Sequence, residues 1–209
     1  MTGQITAAQF HAADGVEDWR CLYHLVSAYF PTGSLSKGIA LVDEIGRLAD
    51  ESQQQTLIVD LRGTGVTVSL TRRDIALARR ISAAAKELGL SADPTAVQLI
   101  NVTLDALAGA DVLPFWQALL GYRQIGDDYL FDPSRRGPGF GLQPSDEARP
   151  QRNRMHLDIA VPHDQAEARI AAALAAGGNL VSDAHAPMWW VLADAEGNEA
   201  CVATWVGRA

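Results

Sequence analysis

From Met155 to Val161 the chain alternates apolar and polar or small residues, the period of a strand with one buried face. Leu157, Ile159 and Val161 are expected to pack on a hydrophobic layer. His156, Asp158 and Ala160 then line the other side, which is a cavity, a groove or solvent. A second pattern closes on this strand: Trp189 to Ala193 reads as a strand, Asp194 to Asn198 as a turn and Glu199 to Ala203 as the returning strand. That hairpin would bring Glu199 or Cys201 near His156.

The same order of elements is expected earlier in the chain. Gln98 to Asp105 reads as a strand, Asp111 to Leu120 as a helix, and Gly121-Tyr122 as a break into further strands. The second copy runs from a strand at Met155 to Val161, through a helix at Gln165 to Ala176, to a strand at Asn179 to Ser182, with Pro144 to Pro150 as the joining loop. Laid on one another by face, Asn101, Thr103 and Asp105 of the first copy match His156, Asp158 and Ala160 of the second.

The first ninety residues read differently. Trp19 to Phe30 has the composition of a strand. Leu35, Ile39, Val42, Ile45 and Leu48 predict an amphipathic helix starting near Ser34. Leu57 to Arg62 and Gly65 to Leu70 predict a hairpin with Val66, Val68 and Leu70 on one face. Thr71 with Asp74 three residues on predicts a helix N-cap, and Leu77, Ile81, Ala84 and Leu88 carry that helix to Gly89. The polar segment Ser91 to Thr95, with its proline, marks a boundary. The expectation is an α+β protein with one domain over 1–92 and a second over 96–209.

Composition excludes several roles. Twenty-five acidic against 17 basic residues give a formal net charge of -8, which opposes general affinity for nucleic acid or an anionic membrane surface. Hydrophobic residues make up 48% of the chain, enough for two cores, so disorder is not expected. No run approaches the ~20 apolar residues that span a bilayer. Cys21 and Cys201 are far apart and lack metal-type spacing, so a disulfide framework is not expected and a cytoplasmic setting is.

From about Ala96 to Val206 the chain resembles the vicinal oxygen chelate superfamily, of glyoxalase and bleomycin-resistance type. The carriers are Phe115-Trp116 with Leu120-Gly121-Tyr122, the segment Asn153 to Asp158, and the segment Asp194 to Glu199. The resemblance implies paired βαβββ repeats around a cavity. In metal-using members one ligand comes from the first strand and one from the last strand of each repeat, positions that fall near Asn101, Gln143, His156 and Cys201. Only His156 is a good ligand type there, since neutral Asn and Gln are poor donors. The expected resident cofactor is therefore none; a divalent metal, if bound, would take His156 and Glu199.

Over Trp19 to Leu90 the chain resembles pterin-4a-carbinolamine dehydratase, through Val59-Asp60-Leu61-Arg62, Val66 to Leu70, and Thr71 to Arg79. The resemblance implies an antiparallel sheet with two helices that assemble into dimers or tetramers. It also implies a His-His-Pro motif before the Val-Asp-Leu-Arg strand and a histidine after the next one. Gln55-Thr56-Leu57 stands at the motif, and the segment for the later histidine is missing between Leu70 and Thr71. Glutamine and threonine cannot exchange a proton near neutral pH as imidazole does. The dehydratase activity is expected to be lost.

These readings define the candidates. His156, Asp158 and Glu199 are the candidate proton-transfer groups, with Asp158 serving as base or as the group that orients the imidazole. Asn101, Thr103, Gln143, Trp190 and Cys201 are the candidate ligand contacts. Each has a plainer reading: a hydrogen-bonded strand histidine, a solvated strand end at Glu199, a small buried thiol, and tryptophans that only pack. Arg135-Arg136 either gates an anionic ligand or lies in a solvated loop. The expected partner is a small organic molecule bound by a homo-oligomer. The expected function is lyase or isomerase chemistry in the second domain, the alternatives being ligand capture without chemistry and a working pterin dehydratase.

Overall fold

The structure, a computed structural model, describes residues 5–22, 25–52, 57–70, 74–145, 157–161, 163–204 and 206. The chain divides into two compact units, Met1–Leu99 and Ile100–Ala209. His156, Met155, Gln55, Thr56 and Thr71 lie outside the described residues, as does most of the stretch read as a joining loop.

In the first unit, α1 (Ala7–His11) precedes β1 (Arg20–Leu22), β2 (Leu25–Pro31), α2 (Leu35–Ser52), β3 (Leu57–Arg62), β4 (Gly65–Leu70) and α3 (Ile75–Glu87). The strands form an antiparallel sheet in the order β1-β2-β4-β3. Val26, Ala28 and Phe30 of β2 and Val66, Val68 and Leu70 of β4 are buried together with Trp19, Leu41, Ile45, Leu77 and Ile81 in one core.

Three expectations for this unit change. The apolar run from Trp19 to Phe30 is two strands, with Leu22 paired directly to Leu25. The buried stripe of α2 is Leu41, Ile45 and Leu48, while Leu35 and Ile39 are 51% and 46% exposed. Gly38 explains the rotation: a Cβ there would press on Leu61 and Val66, so the helix approaches the sheet along the line 38–41–45–48 and turns Ile39 outward. The cap of α3 is Asp74, not a residue three places earlier, and its side chain accepts the Leu77 N–H at 2.9 Å.

The second unit contains β5 (Asn101–Ala106), α4 (Gly109–Leu120), β6 (Arg123–Ile125), β7 (Tyr129–Phe131), β8 (Gly139–Pro144), β9 (Leu157–Ala160), α5 (Ala166–Ala175), β10 (Asn179–His185), β11 (Trp189–Ala193) and β12 (Glu199–Ala203). Its two sheets have the orders β5-β8-β7-β6 and β9-β12-β11-β10. Each is first, fourth, third, second strand of its own repeat, and in each the first and fourth strands run parallel. The internal repetition seen in the sequence is thus a repetition of topology.

A single core joins the repeats. Val112, Phe115, Trp116 and Leu119 of α4 and Ala166 and Ala173 of α5 are buried with Leu130, Phe140 and Leu142 of one sheet and Leu192, Ala200 and Val202 of the other. Trp116 stacks on Phe140 at 4.8 Å and donates its indole N–H to Asp194 Oδ2 at 2.9 Å. Asp194 is 1% exposed and lies in the turn between β11 and β12. The neighbouring Glu196 accepts the N–H groups of Leu107 and Ala108 at 3.1 and 2.7 Å, ahead of α4. At the other end of α4, Arg169 of α5 donates to the Leu119 carbonyl at 2.8 Å. Polar groups of the second repeat therefore satisfy both ends of the first repeat's helix.

Candidate functional site

The core claims one face of each sheet of the second unit and leaves the other face outside it. In β9, Leu157 and Ile159 pack against the core while Asp158 and Ala160 are exposed. Asp158 pairs with Cys201 across the parallel β9–β12 ladder, and Glu199 stands two residues before Cys201 on the same face. Glu199 and Cys201 are half-buried. Trp189, Val191 and Ala193 of β11 share this face, being the cross-strand partners of Ala203, Cys201 and Glu199. The second repeat thus sets a carboxylate, a thiol outside any disulfide and a second carboxylate on a wall of small and aromatic side chains.

Trp190 does not join them. It pairs with Val202 and packs against the core, so the ring on the polar face is Trp189, which stacks on His185 at 4.2 Å. A strand sends adjacent side chains to opposite faces, and the parity of the tryptophan pair is fixed only once the register with β12 is known.

In the first repeat, Asn101, Thr103 and Asp105 of β5 face Gly139, Gly141 and Gln143 of β8 in register. Asn101 and Gln143 are consequently not neighbours. Asn101 is opposite Gly139 and Gln143 opposite Asp105, a separation of about 13 Å along the strands. Between them lies a residue the sequence reading had not singled out. Tyr129 of β7 crosses the face over Gly139 and Gly141 and donates its hydroxyl to Asn101 Oδ1 at 3.1 Å. A Cβ at Gly139 would collide with the Tyr129 hydroxyl and stand 2.6 Å from Asn101 Oδ1. Glycines at alternate positions of a strand are the signal that another group lies across that face.

The loop after β7 is also built. Asp132 accepts the backbone N–H groups of Ser134 at 2.8 Å, Arg136 at 2.8 Å and Gly137 at 2.9 Å. Desolvation works against its charge, but those three donors and the Arg136 charge hold its carboxyl below the ordinary value. Inside the loop Arg135 adopts a left-handed φ of 55° and sets its guanidinium 4.3 Å from the centre of the Phe131 ring. Burial, followed by the Asp132 and Tyr129 charges, pushes the Tyr122 phenol up. Arg135 is thus held against an aromatic ring instead of lying free in a solvated loop.

Among the described residues, which do not include His156, no group of three or more His, Cys, Asp or Glu is disposed to hold an ion, and Asn101 Oδ1 is engaged by Tyr129.

No curated protein matches the chain. Solved structures similar to it include a glyoxalase/bleomycin resistance protein/dioxygenase family enzyme from Burkholderia phytofirmans. It is 16% identical, with a TM-score of 0.42 over 52% of this chain and 98% of that one. The fosfomycin resistance protein FosX from Mesorhizobium loti is 8% identical, with a TM-score of 0.43 over 51% of this chain and 90% of that one. A hypothetical protein, SA1046 from S. aureus, is 12% identical, with a TM-score of 0.42 over 52% and 94%. Among the described residues no helix is long and apolar enough to cross a membrane. Residues 101–203 match the family model described as Glyoxalase-like domain, so the second unit carries a domain of that type.

Proposed function

We propose that the second unit binds a small organic molecule on the polar face of its sheets, with Asp158, Glu199 and His156 moving a proton on it in lyase or isomerase fashion. The observation that carries this reading is the β9–β12 register, which stands the exposed Asp158 opposite the half-buried Cys201 with Glu199 on the same face. Carboxylates there can accept a proton or orient an imidazole, and Trp189 offers a ring for planar ligands. The test is a fragment screen by NMR on the full chain. Hits should shift amides of β9 and β12, bind about tenfold more weakly to Asp158→Asn or Glu199→Gln, and take up solvent deuterium at a carbon acid only while His156 is present. Hits that avoid these strands in every case would refute the site.

A second reading is ligand capture without chemistry. It is favoured by the first repeat, where the phenol of Tyr129 donates to the amide oxygen of Asn101 at the position that matches His156. Binding without deuterium uptake would select it.

For the first unit we propose a degenerate dehydratase-like module that assists self-assembly. Its Val-Asp-Leu-Arg motif lies on the edge strand β3, where Asp60 and Arg62 pair with each other at 2.9 Å on the exposed side. Turnover of a carbinolamine pterin should be flat at high protein concentration, and light scattering should give more than one chain per particle. Measured turnover would restore the active dehydratase reading.

A further inference from the structure

The first unit contains a groove of about 520 Å³ whose lining includes Glu17, Asp18, Arg79, Ser82, Lys86 and Leu90. This volume lies within the range of small-molecule sites. The groove runs between the loop ahead of β1 and the outer face of α3, where Arg79, Ser82 and Lys86 recur at intervals of three and four and therefore line up.

Three of its polar groups, Arg79, Ser82 and Glu17, are already engaged by the protein. Gly15, at a φ of +75°, brings the loop against the stem of Arg79, whose Nε donates to the Asp14 carbonyl at 2.6 Å. Among the described residues no carboxylate lies within ion-pair distance of that guanidinium. Ser82 Oγ accepts the Trp19 indole N–H at 3.1 Å, which leaves its own proton to donate. On the facing wall Glu17 accepts the Gly15 N–H at 3.0 Å. Its own backbone N–H and that of Gly15 keep its carboxyl below the ordinary value. Arg79 and Glu17 attract one another without closing into a pair.

Two cations on the helix therefore oppose two carboxylates on the loop across a gap, over a floor that includes the buried Leu90. A simple anion would meet Glu17 and Asp18, and a simple cation would meet Arg79 and Lys86. A molecule carrying both charges satisfies both walls. We propose that this groove is a binding site for a small amphoteric molecule of the class of free α-amino acids with uncharged side chains. Its carboxylate sits at Arg79, Ser82 and Lys86, its ammonium at Glu17 and Asp18, and its side chain on Leu90.

The experiment is a titration of the full chain with L-leucine and L-serine, read by the NMR signals of the Trp19 indole N–H and the Arg79 Nε–H. Both signals should shift saturably with either amino acid. Sodium acetate and methylammonium chloride, each carrying half of the charge pattern, should give no saturable shift at the same concentrations. Glu17→Gln and Lys86→Gln lie on exposed side chains, so the fold should survive, as checked by unchanged amide spectra elsewhere. Each should weaken the amino acid about tenfold, the equivalent of one charge-assisted hydrogen bond. Absence of a saturable shift up to the solubility of the amino acids, equal binding of acetate, or full affinity in both variants would each overturn the proposal.

Discussion

Asp194→Ala should be among the most damaging single changes in the second unit, although the residue lies in a turn. Its carboxylate is 1% exposed and accepts four hydrogen bonds. Oδ1 takes the N–H groups of Glu196 and Asn198 at 2.9 Å each, and Oδ2 takes Trp116 Nε1 at 2.9 Å and Asn198 Nδ2 at 2.8 Å. Alanine strands the indole N–H of Trp116, itself 3% exposed, which costs about 1 to 3 kcal/mol. Each of the two backbone donors reaches water when the turn opens and loses about 1 kcal/mol. The sum is about 3 to 5 kcal/mol, against a total of about 5 to 15 kcal/mol for an ordinary domain. The turn also carries Glu196, which holds the entry to α4, so the loss should reach the other repeat.

The assay is urea unfolding followed by hydrogen exchange in peptides of α4 and β12, which separates this unit from the first. Trp116→Phe removes the stranded donor while keeping a ring beside Phe140. Introduced into the Asp194→Ala chain, it should therefore cost about 1 kcal/mol less than it does in the wild type. A loss below about 1 kcal/mol for Asp194→Ala, or strict additivity of the two changes, would refute the claim that this carboxylate joins the repeats.

Gly139→Ala should drive Tyr129 off the polar face and break its hydrogen bond to Asn101, at a cost of about 1 to 3 kcal/mol. Tyr129→Phe should cost about 1 kcal/mol by thermal unfolding and leave the ring in place. The Asp132 loop should be acid-sensitive. A carboxyl lowered in the folded state stabilises it above the ordinary 3.8 and loses that contribution as pH falls through the folded value. The amides of Ser134, Arg136 and Gly137 should exchange faster in that acid range, and Asp132→Asn should remove the pH dependence. Arg135→Gly relieves the left-handed φ but loses the guanidinium over Phe131, so stability should change little while the Phe131 ring signals shift.

Periodicity carried most of the second unit. The alternation Leu157, Asp158, Ile159 already separates core from polar face, because a strand allows only two faces and one was apolar. The turn at Asp194 to Asn198 was equally legible, but Asp194 read as a polar turn residue and proved to be buried, since its donors come from 78 residues away as well as from its own turn. On α2 the pattern misled: Leu35 and Ile39 are apolar and correctly spaced, yet the close approach at Gly38 rotated the buried line away from them. Tyr129 was overlooked because nothing local distinguishes it; its role follows from two glycines on a strand that precedes neither it nor Asn101 in sequence order.

Sequence alone determined most of the strands and helices, the repetition and which residues of β9 face away from the core, all of them local consequences of side-chain period and turn chemistry. Tertiary structure decided which candidates meet. Pairing register placed Asp158 on Cys201, separated Asn101 from Gln143 and turned Trp189 instead of Trp190 to the polar face. Register is set by long-range hydrogen bonding and by how two helices and two sheets fill one core, and a shift of a single residue would reverse every face.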